Sequence, residues 1–277
     1  MGRVTQQKRS NAGVVFMAIL VLWLVSIVFE IAFNKRNELL PVLVGCLFFQ
    51  SANWVIRFWV SRDPIFVNTC VSLLHSLITS ASVVFILLNQ LRAKSLTCMF
   101  DHEQLVSDTW TWAYPGLSLS CGYFAYDQLD MLQHRLYSGW IPSILMHHLI
   151  LLVCFTLALY RKVTINYLII TLICELHSVF LHVRKVRRMS GIRNAESRIV
   201  KVEWVLNWST FLFARSIPHA LIMARLIRDA SKFGKGIELP LALFGMVGMN
   251  SLNIGLGIDL LGAYKRERNA PEKQHDD

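Results

Sequence analysis

An all-α, polytopic membrane protein is the fold class that this sequence predicts, and three observations predict it. Of 277 residues, 54% are apolar and only 17% charged, against the roughly 25% charged that lets a soluble domain cover its surface. Mean hydropathy is +0.45. The apolar residues fall in repeated blocks of about 20, the length a helix needs to cross hydrocarbon roughly 30 Å thick. Backbone N–H and C=O groups find no water there, so each block must bond internally as a helix, and the alternation of an outer-membrane strand is absent. A secreted disulfide scaffold, a water-soluble Rossmann or barrel enzyme and a nucleic-acid binder are excluded on the same grounds, despite a formal charge of +10.

Eight apolar segments follow in order. Residues 13–33 form an unbroken run after Arg3, Lys8 and Arg9. The run is too long for a signal-peptide core and no clear A-x-A site follows, so it reads as a retained anchor. Gln6 stands where a myristoylation signal takes Ser or Thr, so lipidation is not expected. Residues 39–60 are interrupted by Gln50, Asn53 and Arg57, which leaves open a span or an oblique, interfacial segment. The count is therefore seven or eight transmembrane helices. Segments 66–89, 111–132, 143–160, 164–182, 203–228 and 238–263 complete the set and form a six-helix core. The six cysteines are scattered singly, mostly within these blocks, and read as small buried hydrophobes rather than as zinc ligands or disulfides.

This divides the chain into residues 1–59, an N-terminal cytoplasmic segment with one or two extra helices, a core over 60–265, and a short, charged, disordered tail over 266–277. With eight spans, and counting Arg57, Arg225 and Arg228 at the ends of their segments, seventeen Lys and Arg fall to one side and ten to the other. The connection 183–202 decides the orientation, because Arg184, Lys185, Arg187, Arg188, Arg193, Arg198 and Lys201 gather there and basic loops stay cytoplasmic. The C-terminus is expected on the same side. No internal repeat is visible, which weakens a transporter of inverted halves.

Ionisable residues inside spans cost several kcal/mol unless paired or facing a cavity, and so are candidates for function. Here they are Glu30, His75, Asp127, Asp130, His147, His148, Glu175, His177, His182, Arg215, His219 and Asp259. Asp127 and Asp130 are three apart, Glu175 and His182 seven apart with Ser178 between them, and Arg215 and His219 four apart, so each set shares a helical face. Inward polar faces on three spans imply a polar pocket in an apolar wall, suited to a lipid headgroup whose chain runs between helices. Plainer readings compete. A carboxylate paired to Arg215 would simply hold the bundle together. Glu30 and Asp259 lie near span ends, His177 points about 200° away from Glu175 and reads as packing, and His219 follows Pro218 at a kinked turn. His147 and His148 are more specific, since two adjacent imidazoles are expensive to bury. Neighbours about 100° apart on a helix do not chelate one ion. Neither a metal nor another cofactor is expected, and acid/base or acyl-transfer chemistry fits the pair better.

The runs NTCVSLLHSLITS (68–80), SCGYFAYDQLDML (120–132), MHHL (146–149), ELHSVFLHVRKVRRMSG (175–191) and NWSTFLFARSIPHA (207–220) resemble, in this order, the TLC-domain family. The similarity covers residues 60–265 and is greatest to the branch of TLC domain-containing proteins 1 and 2. That resemblance implies a multi-pass plasma-membrane protein, with the endoplasmic reticulum as the alternative, that limits entry of polyunsaturated chains into phospholipids and so governs membrane composition and fluidity. Ceramide synthases share the architecture and N-acylate a sphingoid base. Their signature joins a His-His pair to a later His-Asp-x-x-Asp; His147 and His148 match the pair, whereas the later positions fall on Cys174, Glu175 and Ser178. One carboxylate of two survives, and the leading His is lost, which argues against ceramide synthesis.

Two functional readings follow. In one, the protein regulates phospholipid acyl composition without catalysis, binding membrane phospholipids and working with a lipid acyltransferase. In the other it is an acyl-CoA-dependent acyltransferase. Candidate catalytic residues are His147, His148, Asp127 and Glu175, and candidate lipid-binding residues are His75, Asp130, His182 and Arg215. No nucleic-acid partner is expected. The orientation is directly testable: a cysteine introduced at Ser190 is expected to resist an impermeant thiol reagent in intact cells and to react after permeabilisation. Labelling in intact cells would invert the topology.

Overall fold

The computed structural model describes residues 2–137, 143–192 and 197–269, and among these there is no strand. The long helices are α1 (Gly2–Ala32), α2 (Leu40–Trp59), α3 (Pro64–Ala93), α6 (Ala113–Gln133) and α7 (Ser143–Arg161). Short helices α4 (Leu96–Met99) and α5 (His102–Val106) occupy the connection between α3 and α6. A composite span follows, made of α8 (Ile165–Thr171) and α9 (Glu175–Met189) joined by a 3-10 turn at Leu172–Cys174. A second composite joins α10 (Arg198–Thr210) to α11 (Ile217–Arg228) through a π-helical segment, Phe211–Ser216. The last helix is α12 (Glu238–Arg268). The expected tail thus lends its first three residues to α12, and its residues 270–277 lie outside the described residues, as does Arg193.

Seven helical stretches among the described residues are long and apolar enough to cross a membrane: Ala12–Ala32, Asn37–Trp59, Pro64–Ala93, Ile144–Arg161, Ile165–Met189, Arg198–Arg228 and Glu238–Arg268. The expected segment 39–60 therefore falls almost wholly within one stretch of spanning length, Asn37–Trp59, a 3-10 turn running into α2. Its interrupting polar residues turn inward: Asn53 is buried and donates to Tyr126 Oη (2.7 Å) and Asp130 Oδ1 (3.1 Å). The eighth expected segment, α6, is too polar to join the seven. It has no need of an apolar surface, because α2, α3 and α7 pack around it and most of its residues are buried. The outer surface of the bundle shows the converse pattern, with Leu22, Leu47, Trp54, Phe213, Leu221, Phe244 and Ile254 exposed there.

Two local features set the helix spacing. Gly122 of α6 lies directly against the backbone of α2; a Cβ there would strike Val42 O, sit 2.6 Å from Cys46 N and 2.9 Å from Gly45 C. Small residues of this kind let membrane helices approach closely when no hydrophobic effect drives them together. Along α3, buried Ser72, Ser76, Thr79 and Ser80 form a narrow stripe, and α3 makes its largest interface with α9. The connection 183–202 turns out to be largely helical. Arg184 and Arg187 lie on the last turns of α9, where Arg187 Nε donates to Glu203 Oε2 (2.6 Å) and Arg187 Nη2 to Glu267 Oε1 (2.7 Å). Arg184 Nη2 donates to Glu267 Oε2 (2.7 Å). Two residues counted as topological charges therefore also tie α9, α10 and α12 together.

Because every atom that a Cβ at Gly122 meets is backbone, the neighbour cannot swing aside. Gly122→Val is expected to destabilise the protein by about 3 kcal/mol, read as a lower unfolding temperature and poorer recovery in detergent. A variant as stable as wild type would show that α2 and α6 are not in this contact.

Candidate functional site: a polar-to-apolar cavity inside the bundle

Between α6, α7, the two composite spans and α12 lies a cavity of about 570 Å³, within the size range of pockets that enclose small ligands. Its wall changes character along the helix axes. Asn68, Asp127, His147, His148, Glu175, Ser178, His182, Lys185, Arg215 and His219 line one half; Cys154, Leu157, Ala158, Leu168, Ile222, Leu226 and Met246 line the other. The exposed residues on its wall, Ile65, Ile144 and Lys185, sit at the start of α3, the start of α7 and the end of α9. The mouth therefore opens on the face that carries the α9–α10 connection. At the opposite end Glu238 lines the cavity and pairs with Arg161 Nη1 (2.5 Å).

All four candidate catalytic residues reach this space. Asp127 is buried and accepts from Asn68 Nδ2 (2.6 Å). His148, also buried, places Nδ1 3.5 Å from Asp127 Oδ2; that is ion-pair range without an aligned hydrogen bond, and Nδ1 has no hydrogen-bond partner. His147 packs at 5.4 Å, centroid to centroid, from His148. Glu175 accepts from Ser76 Oγ (2.7 Å) and approaches His75 Nδ1 at 3.9 Å.

The four candidate lipid-binding residues divide. His182 and Arg215 line the cavity; His75 and Asp130 do not. His75 is enclosed behind the wall, stacked on Tyr123 with ring centroids 3.7 Å apart and Nε2 3.3 Å from Ser120 Oγ. Asp130 points one helical face away from Asp127, toward α2 and α3. There it accepts from Asn53 and from Asn68 Nδ2 (3.0 Å) and lies 3.2 Å from His134 Nδ1 and 3.8 Å from Arg57 Nη2. Three residues apart placed both carboxylates inward, but only Asp127 on the cavity.

Arg215 differs most from expectation. Among the described residues no carboxylate pairs with it. Its Nε donates to His177 Nδ1 (3.0 Å), Nη2 to Ser178 Oγ (2.7 Å) and Cys174 O (3.3 Å), and Nη1 reaches Asn253 Oδ1 at 3.5 Å. His177 thus faces away from the cavity, as its angle required, yet it serves as a tether rather than as inert packing. The π-helical segment supplies the position. Pro218 has no N–H and its ring crowds the carbonyl four residues back, so the preceding turn widens, and such bulges recur at functional sites. His219 Nδ1 contacts Arg215 O (2.7 Å), which leaves Nε2 unpartnered on the cavity side of a fully buried ring.

Sequence reasoning missed Asn68, Ser76, Tyr123 and Lys185. The first two were readable, since Asn68, Ser72, His75, Ser76 and Thr79 repeat at three- and four-residue steps and so mark one polar face of α3. Lys185 was hidden among the charges of an expected loop.

Residues 65–261 match the TLC domain family, well over half of the chain. The chain belongs to that family. Similar proteins include TLC domain-containing protein 2 of Danio rerio, 29% identical over 153 residues that cover 53% of this chain and 56% of the relative. The Mus musculus protein of the same name is 28% identical over 199 residues, covering 70% and 59%, and the Homo sapiens protein 29% identical over 198 residues, covering 70% and 67%. The matched part is thus little over half the length of the first two. No solved structure matches the chain significantly. The matched TLC region contains every cavity-lining residue named above.

Asp130 holds Asn53, Asn68, Arg57 and His134 together outside the cavity. Asp130→Ala is expected to cost about 3 kcal/mol through the stranded partners, seen in detergent unfolding, while leaving the cavity's lining chemically intact. An unchanged unfolding temperature would show that this cluster is not structural.

Proposed function

We propose that this TLC protein binds a membrane lipid or its acyl chain in the bundle cavity and thereby regulates phospholipid acyl composition and membrane fluidity, limiting polyunsaturated chains. The observation that carries this reading is the graded cavity itself: most of its ionisable groups lie toward the mouth and a largely apolar stretch follows, closed at the far end by the Glu238–Arg161 pair, which is the polarity order of a lipid over most of its length. The similarity to TLC domain-containing protein 2 adds support at the family level. The C-terminus is read as cytoplasmic from the basic connection, which sets the mouth on the cytoplasmic side, and the plasma membrane is the proposed site.

The second reading, an acyl-CoA-dependent acyltransferase, is favoured by one observation: His148 and Asp127 stand 3.5 Å apart on the cavity wall. An imidazole so placed takes the proton of an acceptor hydroxyl or amine as that group attacks a thioester carbonyl; the C–S bond breaks and the thiolate leaves with the proton. Against it stands the loss of the second carboxylate at Ser178, which is instead engaged by Arg215.

Regulation by binding needs shape and hydrogen bonds, whereas catalysis needs a basic imidazole. In cells lacking the protein, His148→Asn at matched expression is therefore expected to restore the balance of saturated and polyunsaturated phospholipid partially, relative to wild type. Loss of all rescue, together with acyl transfer by purified wild-type protein supplied with labelled acyl-CoA, would replace the binding reading with the catalytic one.

A further inference from the structure

Arg215 carries a permanent charge inside a membrane bundle, and the groups that hydrogen-bond to it are neutral. Arginine stays protonated in proteins and offers five N–H donors. Four of the five contacts available to it are made to an imidazole nitrogen, a hydroxyl, a peptide carbonyl and a side-chain amide. None of these carries negative charge. The acidic groups on the same wall are already engaged elsewhere: Asp127 with Asn68 and near His148, Glu175 with Ser76 and near His75. Lys185, the other basic side chain on the wall, lies at the mouth, two turns beyond Ser178 along α9.

Buried charges are ordinarily paired, so a lone guanidinium on a cavity wall marks a place for an anion that the protein does not itself supply. A second observation points to the same spot. His219, one turn beyond Arg215, is fully buried with Nε2 unpartnered and also lines the cavity. From Arg215 the wall continues through Ile222 to Leu226, about 16 Å further along the helix at 1.5 Å per residue, and this stretch is apolar.

Resting on the lipid-binding reading above, we propose that Arg215, with His219 Nε2 beside it, is the seat of an anionic group, carboxylate or phosphate, at the head of a lipid whose hydrocarbon chain fills the apolar half of the cavity. Ser178 and His177 hold the guanidinium in place and act as positioning residues. The pocket therefore selects acidic single-chain lipids over neutral lipids of the same chain, since a neutral headgroup would leave the guanidinium unpaired.

The test uses the full-length protein in detergent and three tritiated ligands with one 18-carbon monounsaturated chain: oleate, 1-oleoyl-lysophosphatidate and oleyl alcohol. Wild type is expected to bind at least one of the two acids roughly tenfold or more tighter than the alcohol, the margin of a charge-assisted hydrogen bond; which acid wins identifies carboxylate or phosphate. Arg215→Gln is expected to bring the acid down to the affinity of the alcohol while the alcohol's own affinity stays unchanged. The wild-type comparison stands whether or not the variant folds. Equal affinity for acid and alcohol in wild type would overturn the anion seat and leave the lipid cavity standing, as would an Arg215→Gln protein that loses both ligands in equal proportion while unfolding at the wild-type temperature. Binding of none of the three would instead remove the lipid-binding reading on which the seat rests.

Discussion

Hydrocarbon offers a buried side chain nothing to hydrogen-bond with, and this scarcity of partners organises the molecule. Helix α6 brings Asp127, Asp130, Ser118 and Ser120 into the bundle, and such a helix is tolerable only where protein rather than lipid surrounds it. Its central place follows. The neighbours that enclose it answer with their own polar groups, Asn53 and Arg57 from α2, Asn68 from α3 and His148 from α7. The contact at Gly122 lets α2 come near enough for Asn53 to reach Asp130 and Tyr126.

Within that polar layer the same residue types do two different things, and the difference is whether they face protein or the cavity. Asp130 and His75 are enclosed and satisfied, facing protein on every side. On the cavity wall, His148 Nδ1 and His219 Nε2 are left bare, and Arg215 meets only neutral acceptors. Unfinished polar groups gathered on one wall of an apolar chamber are the physical signature of a binding site. At the rim, by contrast, Arg184 and Arg187 meet the carboxylates of Glu203 and Glu267, and these pairs join three helices.

Much of the architecture was legible along the chain because lipid imposes a length and a polarity on each span. The boundaries of α3, α7 and α12 lie within a few residues of the apolar segments. Where the reading strained, the cause was local. Asn53 and Arg57 made α2 look interfacial, since the chain alone does not say that another helix stands opposite them. Arg184 to Arg188 looked like loop because charge density marks water, and here the water begins while the helix continues. The His147-His148 pair and the inward faces of α6 and α9 stood out for a simple reason, that burying them without a purpose is expensive.

Composition, segment length and the 3.6-residue period by themselves determined an all-α membrane bundle, the direction of each polar face and the short set of residues from which any site would be drawn. The tertiary structure decided which face met which. A helical period gives the angle at which a side chain leaves its own axis but says nothing about the axis opposite. Asp127 and Asp130 were therefore both placed on one inward face until α2, α3 and α7 were in place. The same holds for Arg215: a charge inside a span suggested a carboxylate partner, and only the packing of the π-helical segment against α9 and α12 shows, among the described residues, a guanidinium with no carboxylate paired to it, on the wall of a chamber with room for one.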